Sequence, residues 1–169
     1  MKKQFSVLKR GFFLIALSLA SIPAFSQSKL LVGSWRLTAA DKILPDGNQV
    51  VDYGKDPRGI VIFTADGHYV IEIFRSEHTK FASADRAKGT PEEYKDAVLS
   101  ASCHFGTYTV DETKGTITFY TERASYPNWD ETTRVSNFKL EGDKLTWHSS
   151  PRPDGSTPVS VFSRMPKDY

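Results

Sequence analysis

The side chains in this chain that could do chemistry are four histidines, one cysteine and a few arginines at strand-like spacing. The histidines are His68, His78, His104 and His148. No two have the spacing of paired metal ligands, and no HExxH occurs. The single cysteine, Cys103, excludes a Cys-rich zinc site and an internal disulfide framework. Neither a metal nor a cofactor is expected. There is no Gly-x-Ser-x-Gly nucleophile turn and no glycine loop of the phosphate-cradling kind. His104 stands apart, because strand alternation places it inward together with Arg123 and Arg134. One inward imidazole can serve as a general acid or base. A histidine satisfied by structural hydrogen bonds is the plainer reading, and no catalytic residue is assigned. Cys103 reads as a small buried hydrophobe rather than a nucleophile.

The elements that must position these groups begin after a leader. Lys2, Lys3, Lys9 and Arg10 precede an apolar run from Phe12 to Ala20, then Pro23 and Ala24-Phe25-Ser26. A basic head, a short apolar stretch and small residues at −3 and −1 describe a secretory signal peptide over 1–26, cleaved before Gln27. The run is about half the roughly 20 residues a spanning helix needs, so no transmembrane segment is expected after cleavage. The mature domain would be 27–169, exported to the periplasm or secreted. Four of the 22 basic residues and none of the 20 acidic ones lie in the leader, so cleavage turns a formal +2 into −2. No basic run remains to grip phosphate, which argues against a nucleic-acid partner.

Short alternating runs separated by turn residues predict an all-β domain. Eight strands are expected, at Gly33–Thr38, Gly59–Thr64, His68–Arg75, Cys103–Val110, Thr116–Arg123, Thr132–Leu140, Lys144–His148 and Pro158–Ser163. Tight connections at Ala65-Asp66-Gly67, Asp111 to Gly115 and Gly142-Asp143 alternate with long ones. In an eight-stranded up-and-down antiparallel barrel, the short turns then close one end and the long loops ring a mouth at the other. One short helix is expected in the loop between the third and fourth strands. Thr90-Pro91-Glu92-Glu93 forms a capping box, and Tyr94, Ala97, Val98 and Ala101 follow on one face. That face should pack on the barrel wall or cover the mouth.

Pairing across the tight turns sets the inner face. Leu140 should face Leu145, and Phe138 should face Trp147. Phe63 should pair with Tyr69, Val61 with Ile71, Val110 with Ile117, and Tyr108 with Phe119. Gly106 then meets Thr121, and His104 meets Arg123. Alternation carries Ser136 and Arg134 inward as well. The expected ligand-binding set is Tyr69, Ile71, Tyr108, Phe119 and Trp147 at mid-height, with His104, Arg123 and Arg134 near the mouth. Asn128 and Trp129 join them from a mouth loop, and Tyr53 from another. Such a lining suits a small hydrophobic or amphipathic molecule with a polar or anionic head. An inward arginine also demands a partner, either a ligand carboxylate or Glu72 or Glu122 turned in by a bulge.

The order of motifs carries a family resemblance. Leu31-Val32-Gly33-Ser34-Trp35-Arg36-Leu37, Leu44-Pro45-Asp46-Gly47, Tyr53-Gly54, Pro57-Arg58-Gly59, Ala65-Asp66-Gly67, Gly89 to Tyr94, Phe105 to Tyr108 and Pro127-Asn128-Trp129 follow one another. Together they resemble the bacterial lipocalin-like domain family of the calycin group, over roughly Leu30 to Arg164. The resemblance implies a ligand-holding barrel and a basic residue, here Arg164, packed on the Trp35 indole at the closed end. Many members carry a His-His pair where Phe119-Tyr120 stands and an aromatic where His104 stands. The resemblance therefore implies no role in chemistry or metal binding for Phe119-Tyr120.

Three functions compete at this level. The first is a non-catalytic carrier or sensor of a small amphipathic molecule. The second is an isomerase- or cyclase-type enzyme working through His104 and Arg123. The third is a barrel filled by its own side chains, acting as an interaction module.

Overall fold

A computed structural model describes residues 29–166. The leader expected over 1–26 lies outside the described residues. The strands are β1 (Gly33–Ile43), β2 (Gln49–Val51), β3 (Arg58–Phe63), β4 (His68–Phe74), β5 (Ala101–Asp111), β6 (Thr116–Ala124), β7 (Thr133–Glu141), β8 (Lys144–His148) and β9 (Thr157–Arg164). One helix, α1 (Pro91–Leu99), lies between β4 and β5. Every strand from β3 to β8 pairs antiparallel with its successor, and β1 pairs with both β3 and β9. The result is a closed eight-stranded antiparallel barrel, the architecture the alternation predicted.

β2 is an addition that the sequence reading left in a loop. It is three residues long and pairs with Asp41–Ile43, beyond the stretch of β1 that pairs with β3. β1 also runs five residues past its expected end, because β9 supplies hydrogen-bonding partners up to Ile43.

The tight turns hold the expected registers. Phe63 pairs with Tyr69, Val61 with Ile71, Leu140 with Leu145, and Phe138 with Trp147. Their inward side chains fill the closed half of the barrel up to the level of Ile71 and Trp147, which face the open half. Trp35, Val61, Phe63, Tyr69, Tyr108, Ile117, Leu145 and Phe162 are all essentially inaccessible to solvent. Aromatic rings pack edge against face through this layer, with centroids 4.7 Å apart for Phe63 and Tyr108 and 4.8 Å for Tyr69 and Phe119. At the base, the Arg164 guanidinium lies 3.9 Å from the centre of the Trp35 ring. It also donates to the carbonyls of Val32 and Leu30.

Two expectations fail. His104 does not pair with Arg123. The register slips between Phe105 and Gly106, so His104 pairs with Ala124 and Phe105 with Arg123. Gly106 lies so close to β6 that a β-carbon there would meet the Tyr120 carbonyl oxygen at 2.1 Å. This β-bulge inserts one extra residue into β6 and turns Arg123 outward. The second failure is the helix face. The capping box forms, with Glu93 N–H donating to Thr90 Oγ1 and Thr90 N–H to Glu93 Oε2. No helix residue is buried, however, and Val98 and Leu99 are more than half exposed. Ala101 belongs to β5. Tyr94 is spent on the preceding loop, its hydroxyl donating to Arg86 O and accepting from Gly89 N–H. The helix stands beside the rim and does not cover the mouth.

Candidate functional site

Above the aromatic layer the barrel is open. A cavity of about 480 Å³ occupies the mouth half, within the range of small-molecule sites. Ile71, Ile73, Phe119, Trp147 and Val159 give it apolar walls, and His104, Arg134, Ser136 and Ser160 add polar groups. Three long connections close its upper part: Asp52 and Tyr53 before β3, Tyr126 and Trp129 between β6 and β7, and Ser149 to Pro153 between β8 and β9.

Arg134 is the central charge. It pairs with Phe119 in the β6–β7 register, so it shares the inner face. Its guanidinium carbon lies 4.0 Å from the centre of the Trp129 ring. Burial holds its pKa below the ordinary arginine value, while nearby Tyr69 acts the other way. Among the described residues, no carboxylate lies within ion-pair reach of it. Glu72 and Glu122, the intramolecular partners considered from sequence, are both exposed. A cation–π contact offsets about 0.5–2 kcal/mol, whereas desolvating an unpaired ion costs several. The folded protein therefore carries Arg134 at a net cost.

Trp129 is placed by its own turn. The 3₁₀ turn Pro127–Trp129 is fastened by Thr132 Oγ1 donating to Trp129 O at 2.7 Å and by Ala124 N–H donating to Asp130 Oδ1 at 2.8 Å. Glu131 takes a left-handed φ of 56° to bring the chain back into β7, which costs a non-glycine residue roughly 1–2 kcal/mol.

His104 is held from behind. Tyr69 Oη lies 2.9 Å from His104 Nδ1 and 3.2 Å from Thr121 Oγ1. Thr121 is buried, and among the described residues its hydroxyl proton finds an acceptor only in Tyr69. The arrangement that satisfies it runs from Thr121 to Tyr69 and from Tyr69 to His104 Nδ1, which leaves Nε2–H as a free donor. Burial, helped by the Arg134 charge, pushes the His104 pKa down to about 3. The imidazole is therefore neutral near pH 7.

The expected site residues divide cleanly. His104, Arg134, Ile71, Phe119, Trp147 and Trp129 line the cavity. Tyr69 stands behind His104. Tyr108 lies in the filled layer, fully buried, with its hydroxyl donating to Thr64 O. Asn128 is exposed, donates to the Tyr126 hydroxyl and is not among the residues that line the cavity. Arg123 is a correction, since the bulge directs it to the outer surface, where it pairs with Glu131 at 3.0 Å and Asp130 at 3.8 Å. The acid–base pairing of His104 with Arg123 consequently does not form. Cys103 lies on the outer face opposite Glu72, half-buried rather than buried, with its thiol pKa raised by burial.

Sequence reasoning missed the cluster at the rim. Arg152 donates to Asp52 Oδ2 at 2.6 Å, and Lys42 Nζ lies 3.4 Å from Asp52 Oδ1. Asp52 and Arg152 are a hundred residues apart in the chain, and only their position in mouth connections hinted at them. Among the described residues, no group of three His, Cys, Asp or Glu side chains is placed to hold a metal ion. No helix there is long and apolar enough to cross a membrane.

A closed barrel, an open mouth half and Arg164 packed on Trp35 describe a recognisable architecture. A family model described as the lipocalin-like domain matches residues 32–162. The chain belongs to the lipocalin-like domain family. Among solved structures, this lipocalin-like barrel is similar to a lipocalin-like protein from Bacteroides uniformis. The two share 15% identity at a TM-score of 0.43, over 80% of this chain and 98% of that one. It is also similar to a variant of the fluorescent protein UnaG, with 12% identity and a TM-score of 0.34, over 79% and 94% of the two chains. No curated protein matches the chain.

Proposed function

We propose that this lipocalin-like protein is an exported carrier or sensor that holds a small amphipathic molecule in the mouth half of its barrel without transforming it. The observation that carries the reading is the 480 Å³ cavity, apolar on most of its wall and joined to solvent between the long loops. A barrel packed solid throughout, as an interaction module would be, has no reason to leave Phe119 and Trp147 facing a void. The basic, apolar and small-residue order of 1–26 supports export. The register slip takes Arg123 out of the cavity and leaves His104 without the partner that an isomerase or cyclase reading gave it.

Native mass spectrometry of the protein purified from its own host tests the proposal, together with titration by a fluorescent fatty acid. A co-purifying small molecule or saturable one-to-one binding of the probe is expected. Repeated absence of both overturns the carrier reading. N-terminal sequencing of the same material should begin at Gln27, and an intact Met1 overturns cleavage.

A further inference from the structure

The cavity wall carries polar groups that the protein itself does not use. Arg134 has no hydrogen-bond or ion-pair partner among the described residues. Ser136, two residues along the same inward face, is 4% exposed, and its hydroxyl is likewise unpartnered there. His104 Nε2 is the third such group, its other nitrogen being taken by Tyr69. All three residues line the same cavity. One is a fixed cation, the second a hydroxyl and the third a neutral ring. No protein carboxylate serves them.

We propose that the cavity selects a monoanionic amphiphile, whose carboxylate-type head sits on the N–H edge of Arg134 with Ser136 and His104 as neutral donors. The inference rests on the small-molecule reading above and names the chemistry of its ligand. Three observations fix that chemistry. Trp129 occupies a face of the guanidinium, which leaves the in-plane N–H groups for a planar oxyanion. The other cations at the cavity mouth, Arg152 and Lys42, share Asp52, and the Asp154 carboxylate acts on both of them as well. Those two cations and two carboxylates balance, so Arg134 is the one cation at the cavity, among the described residues, with no carboxylate in ion-pair reach; it balances one negative charge and would leave a dianion half-neutralised in a partly desolvated site. His104 is held neutral by burial and by Arg134, so it adds a donor and no second charge. The apolar body of the ligand then lies against Phe119, Trp147 and Ile71.

Two fluorescent probes with the same anilinonaphthalene body test this. One is 8-anilinonaphthalene-1-sulfonate, a monoanion, and the other is N-phenyl-1-naphthylamine, which is neutral. The wild-type protein should bind the sulfonate at least tenfold more tightly, and each probe should displace the other. Arg134→Gln should reduce the sulfonate preference to less than twofold. Arg134→Lys, which keeps the charge without the planar fork, should retain part of the preference. Circular dichroism reports whether each variant is folded, and the wild-type comparison stands if Arg134→Gln is not. Equal wild-type affinity for both probes overturns the anion inference and leaves the small-molecule reading intact. A sulfonate preference that survives in folded Arg134→Gln overturns the role of Arg134. Binding of neither probe overturns both readings.

Discussion

Replacing Arg134 with methionine should make the unliganded protein more stable. The guanidinium is partly desolvated, lies over Trp129 at 4.0 Å and has no counter-ion among the described residues. An unpaired ion costs several kcal/mol when fully buried. Arg134 is only partly buried, and about 0.5–2 kcal/mol returns through the indole. A net cost of about 1 kcal/mol remains. Methionine has similar reach, keeps contact with the Trp129 ring and removes the charge. Urea unfolding at pH 7, followed by far-ultraviolet circular dichroism, should show a gain of about 1 kcal/mol, equivalent to roughly 3 °C in Tm for a domain of this size. A saturating monoanionic ligand should reverse the order. At a hundred times Kd it stabilises wild type by about 2.7 kcal/mol, and it should leave Arg134→Met almost unmoved. A methionine variant less stable than wild type by 1 kcal/mol or more would refute the reasoning, because Arg134 would then have a partner in the folded protein.

Other perturbations test other links. The folded-state pKa of His104 is depressed to about 3, so the unfolded chain binds its proton first and stability falls as pH drops from about 6.5 towards 3. The loss between pH 7 and pH 4 should be about 3 kcal/mol from this residue. In thermal melts over that range, His104→Gln should lose correspondingly less, and parallel pH profiles for the two proteins would contradict the assignment. Gly106→Ala places a β-carbon 2.1 Å from the Tyr120 carbonyl oxygen and 2.8 Å from the Glu122 nitrogen. Backbone atoms cannot step aside there, so urea denaturation should show a loss of about 3 kcal/mol, and a wild-type midpoint would mean the bulge is dispensable. Arg164→Ala removes the contact on Trp35 and two carbonyl hydrogen bonds at the closed end. It should cost about 2 kcal/mol while leaving the affinity for N-phenyl-1-naphthylamine unchanged, and a weakened affinity would tie the base of the barrel to binding.

The barrel was legible because its hairpins announce themselves. Ala65-Asp66-Gly67 and Gly142-Asp143 pin the pairings of Phe63 with Tyr69 and Leu140 with Leu145, and period-two alternation carries that parity to Arg134. Parity fails where a residue is inserted, and nothing local in Thr121-Glu122-Arg123 marks the insertion. The available signal was Gly106, a glycine inside a strand pattern on the partner strand, which often denotes a bulge or a close backbone approach. β2 escaped notice because three residues offer no period to read. The helix face misled because spacing reports which side chains align, not whether anything lies opposite them. The Asp52–Arg152 pair is a contact between distant loops, which no sequence window holds.

The central claim is that ligands occupy the mouth half of the barrel beside Arg134 while the closed half stays solid. The three tryptophans sample both regions: Trp35 in the base, with its indole N–H donating to Leu31 O, and Trp129 and Trp147 on the cavity wall. Indole N–H resonances in a two-dimensional ¹H–¹⁵N spectrum, recorded while 8-anilinonaphthalene-1-sulfonate is added, separate them in one titration. Binding in the mouth half makes Trp129 and Trp147 shift together to saturation while Trp35 holds its position. A Trp35 resonance that moves while the other two stay fixed would place the ligand elsewhere.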